Sequence, residues 1–302
     1  MKKNVTFKNR MIDMAGDLYL PSGFDGNKKY AAIAIAHPGS SCKEQTAGIY
    51  AEKLAKNGFV TLAVNAGYQG ESGGDPRYIE DPAARMEDIR SAIDYLVSVP
   101  YIDDERIGAL GICAGGGYVV NVAMTERRIR AIGTSAGANI GGLYRGEDAG
   151  AAIQMLQQLG KQRTAEAQGA EPMIVQWVTD EQKDAADIDL REAYEYYRTP
   201  RGQHPCSPNK LRYISMANIL AFDPFHMVEK LLTQPLQIIV GDNAGAFGSY
   251  NTGKELYERA IASKEKDLYI IEGASHYDLY DDPETTDKAV GKLTEFYRRN
   301  LK

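Results

Sequence analysis

Hydrophobic and polar positions fall into two alternating patterns along most of the chain. Short apolar stretches between residues 5 and 21, separated by Lys8-Asn9-Arg10 and Ala15-Gly16, predict a β-hairpin with 17–20 as its second arm. A near-continuous apolar run predicts a strand over 30–36, and Ile49, Leu54 and Ala55 on one side of the next segment predict a helix over 44–57. The unit then repeats. A strand over 59–64 and a Gly-rich loop lead to a helix over 83–97, where Met86, Ile89, Ala92, Ile93 and Leu96 recur at helical spacing. A strand over 107–112 feeds a helix over 116–125, and 129–135 makes a fourth strand of the series. Strands that are apolar throughout, each followed by a helix, imply a mostly parallel sheet covered on both faces.

The alternation stops between 136 and 223. Polar helical segments over 151–159 and 189–197 are joined there by Gly-, Pro- and charge-rich stretches such as Arg198-Thr199-Pro200-Arg201-Gly202. We read 137–222 as a helical cap insertion in a core made of 1–136 and 223–302. Past it, a short helix near 227–232, strands over 236–240 and 267–272, and helices over 253–263 and 283–299 complete the α/β pattern.

Composition narrows the function. A chain of 302 residues with 43% hydrophobic residues buries a sizeable core. Its net charge of -6, without basic runs, argues against nucleic acid or an anionic membrane as partner and for a small neutral or mildly polar ligand. Homo-oligomerisation is left open. Cys42, Cys113 and Cys206 are far apart in sequence and form no C-x-x-C pair, so no metal site, disulfide framework or organic cofactor is expected. No apolar run follows the basic start, and none is long enough to span a bilayer, so a cytoplasmic location is expected.

The sharpest chemical signal is Gly111-Ile112-Cys113-Ala114-Gly115, between a strand and a helix. It fits the G-x-nucleophile-x-G elbow with a thiol as nucleophile, whose strained turn tolerates only small neighbours. A helix N-terminus favours the thiolate there. His276, which follows the last strand in Gly273-Ala274-Ser275-His276, is the candidate base. That pairing weakens the alternative in which the glycines serve packing alone.

Other assignments rest on position. Gly39 and Ser40, in the loop after the strand ending near His37, and Ala114 next to the nucleophile supply backbone N–H groups for an oxyanion hole. Asp242, 34 residues before His276, is the candidate acid, with Asp278, Asp223 and Asn139 as alternatives. His37, Arg77, Tyr78 and Tyr277 are candidate substrate contacts. The Gly67–Gly74 stretch lacks the spacing of nucleotide-binding loops.

Taken together, His37-Pro38-Gly39, Lys43-Glu44-Gln45-Thr46-Ala47-Gly48, Tyr68-Gln69-Gly70-Glu71-Ser72-Gly73-Gly74, Gly111–Tyr118 and Ser275–Asp281 resemble the α/β-hydrolases, and within them the dienelactone hydrolase-like group with a cysteine nucleophile. Fungal polyketide transferases are similar to this branch. The resemblance implies an α/β-hydrolase fold and an acyl-enzyme intermediate. In true dienelactone hydrolases a glutamate near the end of the third strand holds the resting thiol, and an arginine four residues after the catalytic histidine binds the substrate carboxylate. Here those places hold His37 and Tyr280, which puts dienelactone itself in doubt as substrate. Three readings follow: hydrolysis of a small ester or thioester, acyl transfer to an alcohol or amine, and a hydrolase-fold binding protein without turnover.

Overall fold

The computed structural model describes residues 1–146 and 148–302. The first hairpin is formed by β1 (Lys2–Asn9) and β2 (Ile12–Tyr19), which turn at Arg10 and Met11. Ala15 and Gly16 therefore lie inside β2 instead of interrupting the hairpin. Gly16 packs against Leu62 of the neighbouring strand, and that close approach explains the small residue.

The core alternates as the hydrophobic pattern dictates. β3 (Tyr30–Ala36), α1 (Thr46–Lys56), β4 (Val60–Val64), α2 (Pro82–Ser98), β5 (Ile102–Ile112), α3 (Ala114–Ala123) and β6 (Ile129–Ser135) follow in turn. Residues 31–36 and 60–64 are buried at every position, because helices cover both faces of the sheet. α2 starts at Pro82 behind Asp81, whose carboxylate accepts the amides of Ala83 and Ala84.

Between β6 and the next sheet strand lie α4 (Ile140–Arg145), α5 (Ala149–Ala167), β7 (Ile174–Val175), α6 (Ile188–Arg198), β8 (Leu211–Arg212) and α7 (Met216–Ala221). β7 and β8 pair with each other, outside the main sheet. α8 (Val228–Leu231), β9 (Leu236–Gly241), α9 (Ser249–Arg259), β10 (Lys266–Ile271), α10 (Asp278–Asp281) and α11 (Pro283–Asn300) complete the chain.

The eight-stranded sheet has the order β1-β2-β4-β3-β5-β6-β9-β10. All neighbours from β4 to β10 run parallel, and the hairpin adds two antiparallel strands at one edge. β5 occupies the centre, so the turn leaving its C-terminal end opens where loops after β3, β6, β9 and β10 converge. This is the edge on which open α/β sheets place ligands. No helix among the described residues is long and apolar enough to cross a membrane.

Candidate active site

Cys113 occupies the sharp bend between β5 and α3, with φ 53° and ψ -124°. A non-glycine residue in that region is strained by about 1–3 kcal/mol. The surroundings hold it there. Its amide donates to Ser135 at 3.1 Å, and its carbonyl accepts from Gly116 and Ala138 at 2.8 and 2.9 Å. A Cβ at Gly111 would lie 2.2 Å from the Gly115 carbonyl oxygen, and one at Gly115 would lie 2.4 Å from that of Ala36. The glycines of the elbow are thus set by backbone packed against backbone, which no side-chain motion can relieve.

The sulfur opens into a cavity of about 440 Å³, lined by Cys113, Gly39, Ser40 and Ala114 on the sheet side. Ile140, Tyr144, Trp177 and Leu190, from the segment between β6 and β9, line it too, with Phe247 and Tyr277. No charged side chain lines it among the described residues. A neutral, largely apolar ligand suits such walls, since a buried unpaired charge costs several kcal/mol.

Burial pushes the Cys113 thiol up, while the Tyr280 hydroxyl and the amides of Ala114 and Gly39 pull it back by favouring the thiolate. These amides are the donors expected for an oxyanion hole. Ser40, at φ 56°, bends the loop that carries Gly39, and its carbonyl accepts from Ser207.

His276 is buried, and burial alone holds its imidazole down to about 3, so it is neutral at physiological pH. Its Nε2 lies 3.2 Å from the Tyr280 hydroxyl. The Tyr280 hydroxyl also favours the Cys113 thiolate and lines the same cavity, so the phenol sits near both the nucleophile and the imidazole, which share no direct hydrogen bond among the described residues. Tyr280 lies in α10, four residues beyond His276, a spacing visible in the sequence that by itself gives no sign of contact.

The expected pairing of Asp242 with His276 is corrected by the structure. Asp242 is exposed, and its Oδ1 accepts the Gly273 amide at 2.6 Å. His276 Nδ1 is buried without a hydrogen-bond partner. The alternatives are engaged locally: Asp278 accepts from Ser275, Asp223 from Phe225, and Asn139 caps α4 through Gly142. Short side chains at loop ends satisfy nearby amides first, which is why sequence distance misled.

Three expected substrate contacts also lie elsewhere. His37 is 1% exposed; its Nδ1 donates to the Pro38 carbonyl at 2.6 Å and its Nε2 accepts from Ala66 at 3.1 Å. Burial and the Arg85 guanidinium hold it neutral. Arg85 bonds the His37 carbonyl and pairs with Glu80, which in turn accepts from Tyr118 and Gln69. His37 therefore buttresses the Gly39 loop from behind. Arg77 is spent on the carbonyls of Ser72 and Gly70, and Tyr78 stacks with Lys210. Tyr277 lines the cavity and packs 5.2 Å from the His276 ring.

Metal-ligand atoms gather away from the cavity. Those of Cys42, Glu44 and His204 lie within 4.8 Å of one another, as do those of Glu44, Glu71 and Cys206. Sequence separation hid this cluster, since residues 204–206 fold back onto the loop before α1. The Lys43 ammonium already binds Glu44 and Glu71 at 2.5 and 2.9 Å, so the carboxylates are neutralised without a metal.

The sheet order, the elbow and the histidine after the last sheet strand define an α/β hydrolase. The chain belongs to the dienelactone hydrolase family, whose description matches residues 19–136. It is 43% identical to the uncharacterized protein YcjY of Escherichia coli K12 over 309 residues, covering the whole of both chains. The crystal structure of the hypothetical protein PA2218 from Pseudomonas aeruginosa superimposes with a TM-score of 0.90 at 32% identity, over 100% of this chain and 94% of that one. The polyketide transferase claH of Penicillium crustosum is 24% identical, over 89% of this chain and 87% of its own.

Proposed function

We propose that the protein hydrolyses a small, uncharged ester or thioester through an acyl-enzyme on Cys113. The observation that carries this reading is a strained cysteine at the strand-to-helix turn that opens, beside Gly39, Ala114 and Tyr280, into an apolar cavity, with His276 Nε2 3.2 Å from the Tyr280 hydroxyl. The thiol proton passes to Tyr280 as the phenol gives its own proton to His276 Nε2. Sulfur then bonds to the acyl carbon, and the carbonyl electrons move onto oxygen between the two amides. Collapse of this intermediate breaks the bond to the alcohol or thiol, which leaves with the proton returned from the imidazolium. Water, deprotonated by the same route, attacks the acyl-enzyme and releases the acid.

Oxyanion donors are the largest expected contribution, since removing one costs about 3–4 kcal/mol in a measured case. A thiolate leaves more readily than an alkoxide, so unactivated amides are poor substrates. Among the described residues no cationic side chain lines the cavity, which, with Tyr280 at the place of the family's arginine, favours neutral acyl groups over dienelactone.

Acyl transfer is the second reading. The residues from 137 to 222 that roof the cavity act as a cap limiting water, and the likeness to a polyketide transferase points the same way. Burst kinetics with p-nitrophenyl acetate test the common step: a burst equal to the enzyme concentration, lost in Cys113→Ala, is expected, and a burst retained in that variant contradicts it. Product analysis with added alcohols separates transfer from hydrolysis.

A further inference from the structure

We propose that Asp189, carried on α6 in the segment between β6 and β9, is the carboxylate that positions His276 in place of an acid from the loop after β9. This inference rests on the Cys113–His276 reading above and deepens it.

Two buried atoms lack partners beside the same residue. His276 Nδ1 and Asp189 Oδ1 each have no hydrogen bond, and the two residues are 2% and 1% exposed. An unpaired buried donor or acceptor costs roughly 1–3 kcal/mol, so each of these atoms gains by finding a partner. Phe247 links them. Its amide donates to Asp189 Oδ2 at 2.9 Å, leaving Oδ1 free, and its ring stands edge-on to the His276 imidazole at 5.4 Å.

The space the carboxylate fills is informative. A Cβ built on Gly245 would lie 2.5 Å from Asp189 Cγ and 2.7 Å from its Oδ2. Asp189 thus packs both its carboxylate and its backbone nitrogen, the latter 2.8 Å from an added Cβ, against Gly245 on the loop after β9. That loop lies against the one carrying His276: Asn243 donates to the Ala274 carbonyl at 3.1 Å, and a Cβ on Gly241 would meet the same carbonyl oxygen at 2.1 Å. The insertion delivers a carboxylate to a place where the core provides only glycine.

The neighbourhood suits a charge that matters during turnover. Tyr277 and Tyr280 face the imidazole, and Asp187 and Glu192 lie on Asp189's own side. Burial, with those two acids adding to it, lifts the Asp189 carboxyl to about 6. Above that pH an ionised Asp189 holds Nδ1–H, fixes the tautomer with Nε2 toward Tyr280, and stabilises the imidazolium that forms as Cys113 attacks. Asp189 touches neither substrate nor sulfur here, so it is a positioning residue.

The test compares Asp189→Asn, Asp242→Asn and Cys113→Ala, using p-nitrophenyl acetate and the rate at which iodoacetamide alkylates Cys113. Asn at 189 still accepts the Phe247 amide, so the fold is kept. We expect its kcat/KM to fall by about 10²–10⁴-fold, with the low-pH limb of the rate profile displaced and alkylation slowed. Asp242→Asn stays within about threefold. An unchanged rate or an unmoved low-pH limb in Asp189→Asn overturns the proposal. If Cys113→Ala keeps full activity, the underlying catalytic reading fails instead, which the same series distinguishes.

Discussion

The Tyr280 hydroxyl lies 3.2 Å from Nε2 of His276, four residues earlier in the chain. The same hydroxyl favours the Cys113 thiolate, so in the proposed mechanism the phenol passes a proton between sulfur and imidazole. A neutral imidazole and a raised thiol at rest imply that the ion pair forms during attack, not before it.

Removing that hydroxyl therefore strikes kcat. Tyr280→Phe keeps the ring packed against His276 but deletes the relay. Its kcat for p-nitrophenyl acetate should fall by about 10²-fold or more, with KM changed less than threefold. Steady-state kinetics check this; a KM-only effect shows that the hydroxyl binds substrate instead.

Trp177 tests the pocket. It reaches over Gly39, lying 3.4 Å from the position a Cβ would take there, and it lines the cavity wall. Trp177→Ala should raise KM for aryl esters about five- to twentyfold, consistent with about 1–2 kcal/mol of lost apolar contact. Cys113 alkylation should proceed at the wild-type rate or faster.

Asp242 should prove structural. Its exposed bond to Gly273 is worth about 0.5–1.5 kcal/mol, so Asp242→Ala lowers the melting temperature by a few degrees at most. Esterase activity should stay within about twofold.

Stability should carry the mark of His276. The folded imidazole titrates near 3 and the unfolded one near 6.5, so the unfolded chain binds more protons between those values. The contribution is fully present above pH 6.5 and is lost as pH falls toward 3. Asp189 and Asp88, both raised to about 6, act in the opposite sense over about pH 4–6, so the informative quantity is wild type minus His276→Gln. That difference should fall steadily as pH drops from 6.5, as read by urea denaturation.

The elements that sequence reading located well are those defined by local pattern. β3 falls on 30–36 as expected, because a buried parallel strand reads as an unbroken apolar run, and β6 falls on 129–135, where only Arg130 is exposed. The elbow was legible because backbone crowding at Gly111 and Gly115 restricts residue type directly. The partner of His276 was not, since Asp242 is matched by sequence distance but its carboxylate is taken by a neighbouring amide. Nor could His37 be placed: a histidine at a strand end gives no sign that Arg85, 48 residues on, will bury it. Asp189 reads as one polar residue of an amphipathic helix until the fold lays that helix over Gly245.

The most direct measurement is the intact mass of the protein after an acid quench within the burst with p-nitrophenyl acetate. The mechanism predicts one added acetyl group, mapped by peptide mass spectrometry to Cys113 and absent from Cys113→Ala. Turnover of the ester with no acyl group on Cys113, or with the group on another residue, would contradict it.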